Sequence, residues 1–408
     1  MRFNAALLYA ISALVLSGCG GGGGGATGTP SSNSTPPTTS TPTVSTPATP
    51  STTTPTPTAT AIVPIAVQAS SYLNAKNINI DTQVLPALPF DPTKTNNDAL
   101  STGIGFADFY QDGKLSMFGA SSIPSYTNST PGKLYFFQKD DNGNWVDHTA
   151  KLLTDTTGCI APRKVLIADF NGDGKPDIFV SCHGMDSAPF PGERPRILLS
   201  QPDGTYKNTA GPITCFCHGA AAAEMNSKGY ADIVVYDTSV AKEAIFLINN
   251  KDGTFTPQYQ RLPVSTNTKP IFTVELIDFY NTGKYDLFLA GNEPPDLGDW
   301  ATTIIPNDGT NSFLVKTPVV LPSDYAYGMP QDIVYDHGFV YLLRICIATG
   351  ATFYKASEVQ KIDLNTMSSS IILKQDIATT TKNLGPWMMP YKGKLLSVTN
   401  DWSLSVTE

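Results

Sequence analysis

The most chemically suggestive part of the sequence is a run of oxygen-bearing side chains at alternate positions. Residues 169–177 read Asp-Phe-Asn-Gly-Asp-Gly-Lys-Pro-Asp. Asp169, Asn171, Asp173 and Asp177 supply side-chain oxygens, and Lys175 offers a backbone carbonyl. Ca²⁺ takes about six to eight oxygen ligands, which a tight loop wrapped around the ion can provide. The spacing therefore predicts one structural Ca²⁺ site, and the alternative is an Asx-rich turn without metal.

This segment belongs to an internal repeat that is marked by a glycine. The marker positions are Gly113, Gly174, Gly229 and Gly283, with weaker copies at Gly338 and Gly393. Successive markers lie 61, 55, 54, 55 and 55 residues apart. Apolar runs flank each marker, and turn dipeptides such as Asn142-Gly143 and Asp203-Gly204 recur in phase with it. Each period therefore contains two hairpins, and hence four strands.

A four-stranded unit of this length, repeated six times, predicts an all-β fold: a six-bladed β-propeller of four-stranded blades. Radial repetition buries both faces of each sheet between its neighbours. The sixth copy has room for only three strands, so we expect residues 63–100 to supply its outer strand and close the ring. A seven-bladed ring is the alternative, but it would need a further marker glycine near residue 58, where the sequence has none.

The repeats resemble the FG-GAP, or VCBS-type, repeats of integrin-like propellers and of many bacterial secreted proteins. The resemblance extends from about residue 100 to 400 and is strongest in the second to fourth copies. It implies that the loop joins the first two strands of a blade and binds Ca²⁺ on the bottom face. Only the second copy is complete: the first keeps Asp108 and Asp112 but loses two ligands, and the third places Lys228 where a ligand would lie.

Residues 1–18 have the features of a lipoprotein signal peptide. A short apolar run follows Arg2, and Leu16-Ser17-Gly18-Cys19 resembles a lipobox, in which the cysteine thiol is acylated. This predicts an exported chain that is anchored through Cys19 to lipid of the bacterial outer membrane, on its periplasmic or surface face. An ordinary cleaved signal peptide is the alternative.

Residues 19–62 are glycines followed by a Thr/Pro/Ser-rich tract. No charged residue occurs between Arg2 and Lys76, and large apolar residues are almost absent from the tract. Such a composition cannot offset the entropy of ordering, so it predicts a disordered stalk. The propeller domain is then expected at residues 63–408.

Four of the six cysteines are expected at one end of the second and third repeats: Cys159, Cys182, Cys215 and Cys217. In an exported protein they predict one or two disulfides, whose connectivity the sequence leaves open. His183 and His218 fall at the same end, so a soft-metal or redox site is the other interpretation.

A candidate ligand-binding loop follows the fourth marker glycine. It carries Glu293, Asp296, Asp299 and Trp300, an aromatic ring beside carboxylates. Sugars are often bound by stacking plus hydroxyl acceptors, so an unidentified glycan or protein ligand could bind here. A solvated loop with one half-buried tryptophan is the alternative that we favour.

The sequence assigns no catalytic residues, because it has neither a nucleophile motif nor a phosphate-binding loop. A net charge of −8, without a basic stripe, argues against a nucleic-acid partner. The favoured function is a calcium-binding recognition module. The alternatives are a carbohydrate-active enzyme, lyase or hydrolase, on the same ring, and an adhesion or assembly scaffold.

Overall fold

In the computed structural model, the described residues form six antiparallel sheets that follow one another along the chain. All six lie within the compact unit Thr60–Glu408. The structure describes residues 61–76, 99–122, 129–239, 243–266, 269–293, 300–324, 328–348, 352–376, 384–391, 394–399 and 404–407.

The first three sheets are complete blades of four strands. Blade 1 comprises β1 (Ala99–Ala107), β2 (Ser116–Ser122), β3 (Leu134–Lys139) and β4 (Trp145–Asp147). Blade 2 comprises β5 (Pro162–Ala168), β6 (Asp177–Cys182), β7 (Arg196–Ser200) and β8 (Tyr206–Ala210). Blade 3 comprises β9 (Cys217–Ala223), β10 (Asp232–Asp237), β11 (Glu243–Asn249) and β12 (Phe255–Gln258).

Two further four-stranded blades and a three-stranded sheet follow. Blade 4 comprises β13 (Ile271–Ile277), β14 (Asp286–Gly291), β15 (Thr303–Ile305) and β16 (Val319–Val320). Blade 5 comprises β17 (Met329–Asp336), β18 (Phe339–Ala348), β19 (Thr352–Asp363) and β20 (Ser369–Asp376). The last sheet comprises β21 (Leu384–Tyr391), β22 (Lys394–Thr399) and β23 (Leu404–Thr407). The helices are α1 (Ser71–Lys76), α2 (Thr149–Leu152) and a 3₁₀ turn at Val264–Thr266.

The structure confirms the all-β propeller and the four-stranded blades that the repeat pattern predicted. The marker glycine closes the loop between the first two strands of a blade, and Gly174, for example, has φ = 78°. The second strands are buried along their whole length in blades 2, 3 and 4, because neighbouring blades cover both of their faces. Outer strands such as β8 are mostly half-buried or exposed.

The predicted number of complete blades is wrong. The described residues form five four-stranded blades and one three-stranded sheet, rather than six or seven complete blades. The predicted outer strand from residues 63–100 is not found among the described residues either. Residues 61–69 are extended, α1 follows, and β1 begins at Ala99, while 77–98 lie outside the described residues.

Helix α1 occupies the axis around which the blades are arranged. The innermost strands β1, β5, β9, β13, β17 and β21 pack side by side in this order, and α1 contacts β1, β5, β9, β13 and β21. Ser70 caps the helix, because its Oγ accepts the N–H of Leu73 at 3.1 Å. Ser71 Oγ donates to the carbonyl of Ala222 at 3.1 Å and accepts that residue's N–H at 3.0 Å. The polar face of a short helix is thereby satisfied inside the protein.

Buried charges hold the far end of this helix. The Lys76 ammonium pairs with Asp332 of β17 and also donates to the carbonyl of Met388 in β21. Asp332 in turn accepts the N–H of Met388 at 2.7 Å. Burial lowers the pKa of Lys76, and the neighbouring Asp332 opposes that shift. A second pair, Lys164 with Glu275, lies beside the first, and together they line a cavity of about 50 Å³.

The Lys76–Asp332 pair predicts a large effect of a single substitution. Lys76→Met leaves the Asp332 carboxylate buried without its counter-ion, so the free energy of unfolding should fall by about 3–5 kcal/mol. Combining Lys76→Met with Asp332→Asn should recover most of this loss, because the amide oxygen still accepts the Met388 N–H. Denaturant unfolding measures both variants. Lys114→Met, at an exposed lysine, is the control; an equal loss in this control would contradict the assignment.

Candidate functional site

The loop between β5 and β6 folds around the carboxylate of Asp169. Asp169 Oδ1 accepts the N–H of Gly172 at 2.6 Å, and Oδ2 accepts the N–H of Gly174 at 2.7 Å. Asn171 Oδ1 accepts the N–H of Asp173 at 3.0 Å. The first, third and fifth positions of the predicted calcium segment therefore lie in one tight turn, as their spacing predicted.

Two of the loop carboxylates are joined to strand β7 through Ser200. Asp173 Oδ2 accepts the Ser200 hydroxyl at 2.9 Å, and Asp177 Oδ1 accepts the Ser200 N–H at 2.7 Å. The loop between the first two strands of blade 2 is thus fastened to the end of the third strand.

Asp177 has a structural function that the sequence reasoning did not assign. Its Oδ2 accepts the N–H groups of Phe170 at 2.8 Å and Asn171 at 3.1 Å, so both of its oxygens bind backbone. The equivalent aspartates of blades 3 and 4 also bind the residue that ends or follows the third strand. Asp232 Oδ1 accepts the Asn249 N–H at 2.8 Å, and Asp286 Oδ1 accepts the Asn307 N–H at 2.9 Å. The signal was available in the sequence, because this aspartate persists in copies that lose other ligand positions.

The charge of the loop fits a hard divalent cation. Burial raises the pKa of Asp169, and the nearby charge of Asp173 adds to this shift. Burial also raises the pKa of Asp177 to about 7. The Lys175 ammonium lies towards the Gln201 carbonyl, at 3.4 Å, so it makes no ion pair with these carboxylates. An oxygen-only donor set with uncompensated negative charge is the kind of site that Ca²⁺ occupies.

The incomplete copies satisfy their loops differently. In the first, Asp112 accepts the side-chain amide of Gln138, and Ser116 Oγ replaces the ninth-position carboxylate by accepting the Phe109 N–H at 3.0 Å. In the third, the Lys228 ammonium lies 5.6 Å from the centroid of the Tyr230 ring rather than in an ion pair with the loop carboxylates.

An open cleft of about 520 Å³ adjoins the blade 2 loop on the outer side of the blade. Its lining is polar: Thr154, Asp155, Gln201, Pro202, Asp203, Thr205, Tyr206, Lys207 and Asn208. Hydrogen bonds from Thr157 lower the pKa of Asp155, and those from Thr205 lower the pKa of Asp203. Both carboxylates are therefore ionised at neutral pH and can accept hydrogen bonds from a ligand.

The predicted ligand loop after β14 is arranged differently from an exposed aromatic platform. Glu293 is fully buried in a bidentate pair with Arg344, with Arg344 Nη1 at 2.9 Å from Glu293 Oε2 and Nη2 at 3.3 Å from Oε1. Trp300 is only 8% exposed and packs in a core cluster with Phe246 and Phe313. The other two predicted residues, Asp296 and Asp299, lie outside the described residues. The described half of this loop thus contributes to the core.

The four cysteines form two disulfides, Cys159–Cys182 and Cys215–Cys217. This confirms the disulfide prediction and supplies the connectivity that the sequence left open. All four side chains are at most 2% exposed. Cys159, Cys182 and Glu193 form a cluster whose ligand atoms lie within 4.8 Å of one another, but the two sulfurs are bonded to each other and are not free thiolates.

Glu193 connects the segments that carry the two disulfides, at the end of blades 2 and 3 opposite the oxygen-rich loop. Its two carboxylate oxygens accept the N–H of Ile160 at 3.0 and 2.9 Å. Its backbone also exchanges two hydrogen bonds with Cys215, at 3.0 and 3.1 Å. Burial raises the pKa of Glu193 to about 7, although its backbone hydrogen bonds oppose the shift.

Comparison with known proteins identifies the repeat. Residues 108–180 match the FG-GAP-like repeat family. Together with the propeller arrangement, this match confirms the resemblance inferred from the loop sequences. No curated protein matches the sequence.

The solved structures that this chain partly matches share little sequence with it. One is the crystal structure of BBS1N in complex with ARL6DN, with 14% identity, a TM-score of 0.41 and coverage of 78% of this chain and 93% of that chain. Another is the Trypanosoma rangeli sialidase in complex with the inhibitor DANA, with 11% identity, a TM-score of 0.39 and coverage of 76% and 54%. A third is an exo-β-1,3-galactanase from Phanerochaete chrysosporium, with 10% identity, a TM-score of 0.37 and coverage of 67% and 60%. The match therefore spans about half the length of the sialidase.

The predicted lipidation site, Cys19, lies outside the described residues. Among those that the structure does describe, no helix has the length and apolar character needed to span a bilayer.

The Glu193 environment predicts a pH dependence of stability. Since the folded-state pKa of Glu193 lies above its ordinary value of 4.5, protonation favours the fold; this contribution is complete below about pH 4.5 and is lost as the pH rises through about 7. Glu193→Gln mimics the protonated form and keeps an acceptor for the Ile160 N–H. Wild type loses this contribution between pH 4.5 and pH 8, whereas the variant does not. The free energy of unfolding of the variant minus that of wild type should therefore rise by on the order of 2 kcal/mol over this range.

Denaturant titrations of both proteins across this pH range measure the difference. Glu243→Gln, at a carboxylate whose pKa is also raised but which is much less buried, is the control and should show a smaller change. A difference between Glu193→Gln and wild type that does not vary with pH would contradict the assignment.

Proposed function

We propose that this chain is an exported, lipid-anchored propeller that acts as a calcium-dependent recognition module for a glycan. Cys19 would carry the lipid, the Thr/Pro/Ser-rich tract would hold the propeller away from the outer membrane, and blade 2 would bind the ligand. The observation that carries the proposal is the connection through Ser200 between the oxygen-rich loop and the polar cleft.

Calcium would have a structural role in this arrangement. Asp169, Asn171, Asp173 and Asp177 would hold the ion together with the Lys175 carbonyl. Bound Ca²⁺ supplies positive charge that compensates the loop carboxylates, and it fixes the loop. Because Asp173 and Asp177 both bind Ser200, a fixed loop also fixes the end of β7. Gln201, the next residue, lines the cleft.

The chemistry of the cleft favours a polyhydroxylated ligand. Ionised Asp155 and Asp203 accept hydrogen bonds, whereas Lys207 and the amides of the cleft can donate them. A glycan presents many hydroxyl groups that act in both ways. A glycosidase would need one carboxyl group that stays protonated, with a raised pKa, beside an ionised one. The pKa values of Asp155 and Asp203 are both lowered, which favours binding over acid–base hydrolysis in this cleft.

The calcium part of the proposal is tested by thermal melting of two matched variants. At a hundredfold excess over Kd, one ion stabilises the folded chain by about 2.7 kcal/mol, which should raise the Tm by several degrees. Asp173→Ala should abolish most of this rise, because it removes a central ligand and leaves the Gly174 turn intact. Asp112→Ala, at the equivalent position of the first copy, should leave the rise nearly unchanged. An equal loss of the rise in the two variants would refute the site. So would a wild type that is first stripped of metal by chelation and then shows no rise in Tm when Ca²⁺ is added.

The ligand part is tested on a glycan array with Ca²⁺ and with chelator, followed by calorimetry on the best glycan. Asp203→Asn should weaken binding at least tenfold without lowering the Tm, because asparagine keeps the turn contact to Thr205. Asp252→Asn is the matched control, since Asp252 makes the same contact to Thr254 in blade 3.

Four outcomes would count against this recognition function. Equal effects of Asp203→Asn and Asp252→Asn would show that the glycan does not bind in the blade 2 cleft. Binding that is the same with Ca²⁺ and with chelator would show that calcium does not control it. Cleavage of an array glycan would support the enzyme alternative, and a wild type that binds a protein but no glycan would support the scaffold alternative.

A further inference from the structure

Two histidines lie next to each other at the end of blades 2 and 3 that is opposite the oxygen-rich loop. His183 directly follows β6, and His218 is the second residue of β9. Their ring centroids are 4.7 Å apart, with an angle of 38° between the planes. Phe216 packs against both rings, at centroid distances of 4.4 and 5.1 Å.

The hydrogen bonds of His183 fix its tautomer. Nδ1 lies 2.7 Å from the carbonyl oxygen of Gly184, which can only accept, so Nδ1 carries the proton. Nε2 therefore presents a lone pair. His183 is 0% exposed, and its Nε2 has no hydrogen-bond partner among the described residues. A buried acceptor without a partner is unfavourable unless another species occupies the site.

His218 is fixed in the same tautomer through Thr238. The Thr238 hydroxyl donates its single proton to the Phe216 carbonyl at 2.9 Å. Its oxygen can then only accept from His218 Nδ1, which lies 3.1 Å away. Nδ1 of His218 is therefore protonated, and its Nε2 also carries a free lone pair.

Both rings are uncharged at neutral pH. Burial, with a smaller effect of the Arg163 charge, lowers the pKa of His183 to about 3. The same two causes, in the same order, lower the pKa of His218 well below its ordinary value. The guanidinium of Arg163 lies 3.4 Å from the Asp186 carboxylate, which partly offsets its charge.

We propose that Nε2 of His183 and Nε2 of His218 together bind one late first-row transition-metal ion, with water in the remaining positions. Neutral imidazoles that donate their other ring N–H to an acceptor are the usual protein ligands for such ions. Ring centroids 4.7 Å apart suit two bonds of about 2.0–2.1 Å to a single ion. Affinity should be highest for Cu²⁺, and Zn²⁺ should also bind.

This site is independent of the proposed calcium and glycan functions. Its nitrogen ligands are borderline donors, whereas Ca²⁺ prefers oxygen. The nearby cysteines are not ligands, since their sulfurs are joined in the Cys159–Cys182 and Cys215–Cys217 disulfides.

Cu²⁺ titration of the full chain tests the proposal. The protein is untagged, kept oxidised, stripped of metal and held in excess Ca²⁺ so that the oxygen-rich loop is occupied. Wild type should bind one equivalent of Cu²⁺, with electron paramagnetic resonance showing coupling to two imidazole nitrogens. His183→Gln and His218→Gln should each weaken binding at least tenfold. The other two histidines of the chain provide the control: the double variant His148→Gln/His337→Gln should bind Cu²⁺ like wild type.

A measurement on wild type does not depend on whether the buried variants fold. ¹⁵N spectra of labelled histidines should show Nδ1–H tautomers for two residues in the metal-free chain, and Zn²⁺ should shift the Nε2 resonances of those two. Nε2–H tautomers, no stoichiometric binding of Cu²⁺, or an equal loss of binding in the His148/His337 double variant would overturn the proposal.

Discussion

The axis of the propeller is the constraint on which the other contacts depend. Radial packing brings the inner strands of successive sheets together around a line, where small residues such as Ala220 to Ala223 allow close approach. The space that remains is filled by α1, whose polar side chains find partners on strands that lie far apart in sequence. Buried ion pairs are weak sources of net stability, but they are demanding in geometry. The Lys76–Asp332 pair therefore fixes how α1 sits among the blades, and the Lys164–Glu275 pair joins β5 to β13 beside it.

Around this axis, aspartate and asparagine side chains hydrogen-bond segments within one blade and in neighbouring blades. Asp177, Asp232 and Asp286 each join the start of a second strand to the residue that ends or follows a third strand. Asparagine side chains continue the connection to the preceding blade. Asn249 Nδ2 donates to the Phe170 carbonyl at 2.7 Å, and Asn311 Nδ2 donates to the Met225 carbonyl at 2.6 Å. The loop of one blade is thus held by the next blade, and a change at one loop can affect its neighbour.

The repeat was readable from sequence because its determinants are local. A marker glycine, a turn dipeptide and an alternating apolar strand each act over a few residues, so their period predicts the four-stranded blade. The occupant of the axis was not readable, since α1 is short and polar and its partners lie more than 150 residues away in the chain. Its one signal was Lys76, the first charge after a long uncharged tract. The burial of Glu293 was not readable for the same reason, because its partner is Arg344 of another blade.

The two ends of blade 2 carry different side chains, and the length of strand β6 separates them. Strand β6 runs from Asp177, at the oxygen-rich loop, to Cys182, and His183 follows. At about 3.3 Å per residue these ends are on the order of 20 Å apart, beyond the screening length of physiological salt. Oxygen donors predominate at one end, where Asp169, Asn171, Asp173 and Asp177 lie in or beside a tight turn. Two imidazoles lie at the other end, packed against the Phe216 ring. The proposed calcium loop of blade 2 and the proposed imidazole site shared by blades 2 and 3 would therefore not compete for each other's ion.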